Sequence, residues 1–338
     1  MTQLRALLVG AGGMGRAWGR ALAAHPDVAL AGWVDVARER AVSAAMELGL
    51  DDVAFDDDVV TALRLVGPDF VVDAATAEAH RDITLACLER GVAVLGEKPM
   101  ATTMDEAREL VHASERTRTL FAVNQNRRYN KGIAAFREVV IGALGGAGQI
   151  NAEFYTGPHF GGFREEMDSP LLVDMAIHTF DAARYVTDAE PVSVLCAEHN
   201  PSWSWYKGAA SAIAEFEFTG GLRFSYEGSW CARGLPTSWE ASWRVLGPRG
   251  SVTWDGAESL VTELPGPEGG PDGQLRRSAL TPRPIPAEGI DGSLADFVGA
   301  LRGGPVPMSE CHDNIRSLAM VMSALESSRT GRRAVIEW

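Results

Sequence analysis

The chain has 338 residues, 46% of them hydrophobic and 22% charged, and a formal net charge of −14. That length predicts two domains, the acidic balance excludes a nucleic-acid partner, which needs a basic face, and no apolar run reaches the roughly 20 residues of a membrane span. Cys87, Cys196, Cys231 and Cys311 show no CxxC spacing, and the apolar stretch in "MTQLRALLVG" is too short for a signal peptide, so a reducing, cytoplasmic location without structural zinc is expected.

Residues 4–9, "LRALLV", read as a strand buried on both faces and ending at glycine. "GMGRAWGRALAAH" reads as a helix stopped before Pro26, "VALAGWVD" as a second strand, and "RERAVSAAMELG" as a helix closed by Gly49. "DFVVDAAT" and "VAVLGEKP" are the third and fourth strands, separated by the helix "AHRDITLACLERG" with Gly91 as its stop. "DEARELVHASERT" and "LFAVNQN" give a further helix and strand. Alternation of this kind predicts an α/β fold opening with a Rossmann-type doubly wound parallel sheet, whose ligands bind at the carboxyl ends of its strands. The glycine-rich, acidic and basic punctuation falls at those ends.

The pattern changes after a helical stretch near 131–142. From 149 to about 285 runs of strands follow, interrupted by one helix at 171–187, with a turn-rich surface loop at 265–273; two helices close the chain. We therefore expect a dinucleotide-binding domain over 1–123. A second domain over 124–338, an α+β unit with a large, mainly antiparallel open sheet, is expected to bind substrate, with the C-terminal helices packing back on the first domain.

"GAGGMG" carries Gly10, Gly12 and Gly15 in GxGxxG spacing between a predicted strand and a predicted helix. Glycines there permit a tight turn and close approach of backbone N–H groups to a pyrophosphate, favoured by the helix N-terminus. Asp35 ends the next strand, where a carboxylate accepts from an adenosine ribose hydroxyl and repels a 2′-phosphate, so NAD is expected ahead of NADP. Arg38, three residues on, pulls the other way by offering a partner to such a phosphate. "DMAIHTFD" places Asp174 and His178 four apart on a predicted helix, the spacing of an acid/base imidazole oriented by a carboxylate, and equally of an ordinary surface pair. Only Lys98, Lys131 and Lys207 are lysine among 31 basic residues. A lysine held at 98 suits a site needing a narrow, tunable cation rather than a guanidinium fork. With seven histidines and no HxxH or HExxH, no metal site is expected.

In this order, "GAGGMG", "EKP" at the fourth strand end and D-x-x-x-H in the second domain resemble the Gfo/Idh/MocA oxidoreductases over essentially the whole chain. The resemblance implies NAD(P)-dependent dehydrogenation or reduction of a ring carbon of a sugar, inositol or related cyclic polyol, and a homodimer or homotetramer joined through the second sheet. It implies catalysis by three residues: Lys98 holding the reacting oxygen, His178 exchanging its proton, and Asp174 joining the relay. It places the cofactor against Gly10, Gly12, Gly13, Met14, Gly15, Asp35, Arg38, Ala75, Thr76, His80, Glu97 and Lys98. Ala77 stands where members usually carry proline after Thr76, and Pro99 resembles a residue shaping the nicotinamide end. Arg127, Arg128, Tyr155, His159 and Arg164 are candidate substrate contacts, with Trp203, Trp205 and Tyr206 of "SWSWY" and Trp230, Trp239 and Trp243 as stacking faces or, alternatively, core or interface. A redox-neutral glycosidase or eliminase, or a non-catalytic NAD-sensing regulator, would share the fold.

Overall fold

The computed structural model describes residues 2–266 and 273–338, and the chain divides into two units, residues 1–129 with 286–315 and residues 130–285 with 316–338. The division falls at 129/130 rather than 123/124, and the segment 286–315 belongs to the first unit. Residues 267–272 of the expected loop at 265–273 lie outside the described residues.

The first unit runs β1 (Leu4–Val9), α1 (Gly13–Ala24), β2 (Val28–Val34), α2 (Arg38–Glu47), β3 (Ala54–Asp56), α3 (Val59–Val66), β4 (Phe70–Asp73), α4 (Ala77–Leu88), β5 (Ala93–Gly96), α5 (Met104–Thr117) and β6 (Phe121–Val123). Its six strands are all parallel, in the order β3-β2-β1-β4-β5-β6. β3 and α3 were absent from the sequence reading. β3 is three half-buried residues among aspartates, too short for any periodicity, yet it forms the sheet edge. α3 starts on Asp58, whose side chain accepts from the Thr61 N–H. α5 starts on a full capping box between Thr103 and Glu106. β1, β4 and β5 are apolar along most of their length because helices cover both sheet faces.

The second unit continues with α6 (Lys131–Glu138), β7 (Gln149–Tyr155), α7 (Phe163–Glu166), α8 (Ile177–Thr187), β8 (Pro191–His199), β9 (Ser211–Phe218), β10 (Arg223–Ser229), β11 (Ser242–Gly247), β12 (Gly250–Trp254), β13 (Leu260–Pro265) and β14 (Leu275–Leu280). α9 (Gly289–Leu301) then lies in the first unit, and α10 (Cys311–Thr330) and β15 (Ala334–Val335) end the chain. Among the described residues the second sheet has nine strands, β14-β13-β12-β11-β7-β10-β9-β8-β15, antiparallel except for the β7–β10 pair. Buried and exposed positions alternate along β7 and β10, and along β8 from Val194 to Ala197 after a register shift near its start, as expected of a sheet with one packed face. Phe180 of α8 packs on that face against Phe216, Phe224 and Tyr226, with ring centroids 4.7–6.2 Å away.

Segment 286–315 joins the first unit through apolar packing and pairing. Phe297 of α9 meets Phe70 of β4 at 5.7 Å in a core shared with Leu294 and Val298. Tyr129 Oη donates to Asp296 at 2.6 Å, and Val123 N–H donates to the Ser309 carbonyl at 3.0 Å.

Candidate active site

One register row organises the first unit. Val34, Val9, Asp73, Gly96 and Val123 are partners across the sheet. The glycine loop, Asp35, the 74–80 segment, Glu97–Lys98 and "NQNRR" all begin at the residue after this row. Parallel pairing thus brings five sequence-separated motifs to one sheet end.

The glycines divide by role. Gly10 has φ 93°, and a Cβ there would run into the Ala74 backbone; one on Gly15 would run into the Gly10 carbonyl. Those two are glycine because the chain packs on itself. A Cβ on Gly12 or Gly13 meets nothing within 4 Å, and the first turn of α1 carries no acidic side chain and no side-chain cap. The open space in front of an uncapped helix N-terminus fits a dinucleotide pyrophosphate. Met14, on the same turn, is 41% exposed.

Asp35 is buried and accepts from Ala11 N–H at 2.8 Å and Ala37 N–H at 2.9 Å. It therefore fixes the glycine loop to the end of β2, and each oxygen keeps a lone pair for a ribose hydroxyl. Arg38 is exposed and donates to the Phe55 carbonyl at 3.2 Å.

At the end of β4, Ala75 N–H donates to Asp73 Oδ1 at 3.1 Å, and His80 Nδ1 lies 2.8 Å from Asp73 Oδ2. Burial works against an imidazolium at His80, but the Asp73 charge and hydrogen bond outweigh it, so its pKa stands above the ordinary value. Thr76 is the N-cap of α4 without a side-chain cap, and Ala77 occupies the first helical position. Proline there would be pre-organised but is not required, and the helix starts regardless.

Glu97 is 7% exposed and accepts from Trp18 Nε1 at 2.7 Å and Asn124 Nδ2 at 2.9 Å, tying α1 to the end of β6; Lys98 N–H donates back to its other oxygen at 3.3 Å. Lys98 is half-buried and joined to buried Pro99 by a cis peptide. Asp73, Trp18 and Asn124 were missed from sequence; an acid ending the apolar run "FVVD" was the available signal for the first. Glu97→Ala leaves two buried donors without an acceptor. It is expected to cost about 3 kcal/mol or more, at roughly 1.5–3 kcal/mol per hydrogen bond to a charged group. Thermal or denaturant unfolding checks this, and a loss below about 1 kcal/mol would rule out the bracing role.

Arg127 and Arg128 sit on a 3₁₀ turn (Asn126–Tyr129), and both are buried. Arg128 donates to the Met308 carbonyl and pairs with Asp313 at 2.6 Å. Neither is a surface charge, and the guanidinium of Arg128 holds segment 286–315 in place rather than standing open to substrate.

In the second unit the helix bearing Asp174 and His178 is wound as π from Leu171 to Ala176 and as α from Ile177. Such local widening recurs at functional sites, and it alters the simple i, i+4 geometry that the sequence suggests. Asp174 Oδ2 accepts from Arg164 Nε at 2.6 Å. Arg164 is thus a partner of the predicted relay carboxylate, a contact the sequence did not reveal. Asp181 is buried and accepts from Ser317 Oγ at 2.7 Å, a structural bond. His159 stacks on Trp205 at 3.7 Å between centroids. Tyr155 shares the outer face of β7 with Glu153, opposite the buried Phe154. Burial and a hydrogen bond to Glu227 raise its pKa. Its side chain therefore belongs to the face opposite α8, which removes it from the substrate candidates. Tyr206 and Trp230 are core, whereas Trp203 is exposed.

Among the described residues, Glu310, Cys311 and His312 bring ligand-type atoms within 4.8 Å of one another. His312 Nδ1 and Nε2 rest on Glu310 and Glu115 at 2.8 and 3.0 Å, and those carboxylates, Glu115 first, raise its pKa. That is an ion-pair network. No described helix is long and apolar enough to cross a membrane.

A family model described as an oxidoreductase family with an NAD-binding Rossmann fold matches residues 4–125, and the GFO/IDH/MocA C-terminal domain matches residues 134–253. The 1,5-anhydro-D-fructose reductase of Ensifer adhaerens is 25% identical over 340 residues, covering 98% of each chain. The inositol 2-dehydrogenase of Streptomyces avermitilis is 27% identical over 342 residues, covering 100% of this chain and 96% of its own. The structure of an oxidoreductase from Agrobacterium radiobacter in complex with NAD+, L-tartaric acid and magnesium matches with a TM-score of 0.88 at 21% identity, covering 99% of both chains. At that identity the likeness is one of fold.

Proposed function

The chain belongs to the Gfo/Idh/MocA family of NAD-binding oxidoreductases, and from that premise we propose that it oxidises a ring hydroxyl, or reduces the matching ketone, of a sugar, inositol or related cyclic polyol. The observation that carries the reading is the single register row that gathers the glycine loop, Asp35 and Glu97–Lys98. The nicotinamide, when bound, supplies the hydride acceptor or donor. Gly12, Gly13 and the N-terminus of α1 hold the pyrophosphate, and Asp35 accepts from the adenosine ribose. Lys98 stabilises negative charge growing on the substrate oxygen. His178 takes or returns the hydroxyl proton, and Asp174 sets its charge and orientation.

The test is a panel of hexoses, pentoses and inositols with NAD, and the corresponding ketones with NADH, followed at the NADH absorbance band. No change in either direction across the panel counts against the reading, and product without NADH release favours the redox-neutral alternative. Calorimetry is expected to give tighter binding of NAD than NADP, with Asp35→Ala narrowing the difference; the reverse order refutes the preference. We also propose a cytoplasmic homo-oligomer joined through the outer face of the second sheet, where Leu195, Ile213 and Leu246 stand exposed. Light scattering showing only a 36.2 kDa monomer at micromolar concentration would exclude it.

A further inference from the structure

Tyr155, Ser229, Ser211 and His199 form another register row, in the second sheet. The loops at 156–169, 200–210 and 230–241 therefore gather at one sheet end. Backbone bonds stitch them together: Ala232 N–H to Thr156 O at 3.0 Å, Thr237 N–H to Tyr155 O at 2.9 Å, and Lys207 N–H to Glu165 O at 2.8 Å. On them lies a connected set of rings. Phe160 contacts Trp230 at 6.0 Å and Trp239 at 6.2 Å, and the Arg164 guanidinium lies 5.5 Å over Phe160.

Phe160 and Trp239 are 52% and 46% exposed. Half-bare aromatic rings side by side mark ligand or partner surfaces, since covering their remaining apolar area is favourable. Two further observations choose between the two. Arg164 runs from these rings to Asp174 Oδ2, so the patch is continuous with the proposed proton relay. Two buried side chains at the same strand ends, Trp230 and Thr156, have a donor without a partner, Nε1 and Oγ1; buried donors normally find an acceptor.

We propose that this loop cluster is a stacking subsite for the ring of the substrate: a pyranose- or cyclitol-sized ring lies with its C–H face on Phe160 and Trp239, and its oxygens meet the nearby donors. Aromatic faces suit such rings because C–H hydrogens carry partial positive charge and the π face is negative. The proposal rests on the hydride-transfer reading for the identity of the ligand, but binding can be measured without turnover. Arg164 then acts as a positioning residue, linking the occupied subsite to Asp174.

The experiment is saturation-transfer NMR on the full chain with NAD, using myo-inositol, methyl β-D-glucopyranoside and D-xylose as probes. Transfer to the ring C–H protons of at least one probe is expected. Its affinity should fall at least tenfold in Phe160→Ser and in Trp239→Ser, both exposed positions whose melting temperatures should hold. Absence of transfer from all three probes, or unchanged affinity in both variants, overturns the subsite. So does loss of a wild-type oligomer in both variants, which would make the patch an interface between copies. Binding with the expected losses but no NADH signal for any substrate leaves the subsite standing and removes the redox reading.

Discussion

Lys98→Met is expected to lower turnover by about 10²–10³-fold, the usual effect of deleting one donor aimed at a developing oxyanion. The replacement keeps most of the aliphatic stem and removes only the charge. The loss should therefore be the same at every pH, and raising the pH should rescue little of it. Lys98 adjoins Glu97, whose carboxylate is held by Trp18 and Asn124, so the strand end itself should stay in place and the melting temperature should change little. NAD affinity should weaken modestly at most. A pH–rate profile on a substrate identified by the panel, beside calorimetry with NAD, checks all three points. Turnover near that of the wild type would show that the chemistry lies elsewhere.

His178→Ala is expected to reduce turnover by about 10²–10⁴-fold, the range for loss of a general acid–base, but with a different signature. Here the missing function is proton transfer. Hydroxide or added imidazole should restore part of the rate, and the variant should gain from rising pH where Lys98→Met does not. NAD binding should be unaffected, because His178 belongs to the second unit and the glycine loop to the first. If His178→Ala abolishes NAD binding, the assignment of roles to the two units fails; if it is as insensitive to small bases as Lys98→Met, the acid–base assignment fails.

How much of this was legible beforehand depended on the range of the interaction. β1, β2, β4, β5 and β6 were read from apolar runs that stop at glycine, acid or amide residues, because a strand buried on both faces writes its environment into a few consecutive positions. β3, "AFD", writes nothing, since it is held by its β2 neighbour rather than by its own burial. β14 is likewise exposed at all six positions and carries no alternation.

The same division holds for the candidate site. Gly15 is glycine for a contact within the strand–turn–helix, and Gly10 for its positive φ in that turn and its close approach to Ala74; their spacing announced both. Lys98 was marked by composition alone, in a chain that otherwise favours arginine. Arg128 with Asp313, Arg164 with Asp174, Glu97 with Trp18, and Tyr155 turned to the outer face were decided by which strands and segments come together.

By itself the sequence determined the alternation of elements, the Rossmann half, the antiparallel half and the residue types available for chemistry, because each follows from periodicity or spacing over a few residues. Tertiary structure alone decided which of those polar side chains are committed to bracing the fold, and that segment 286–315 completes the first unit. A buried charge must find its partner wherever folding brings one, and that partner leaves no mark on the neighbouring sequence.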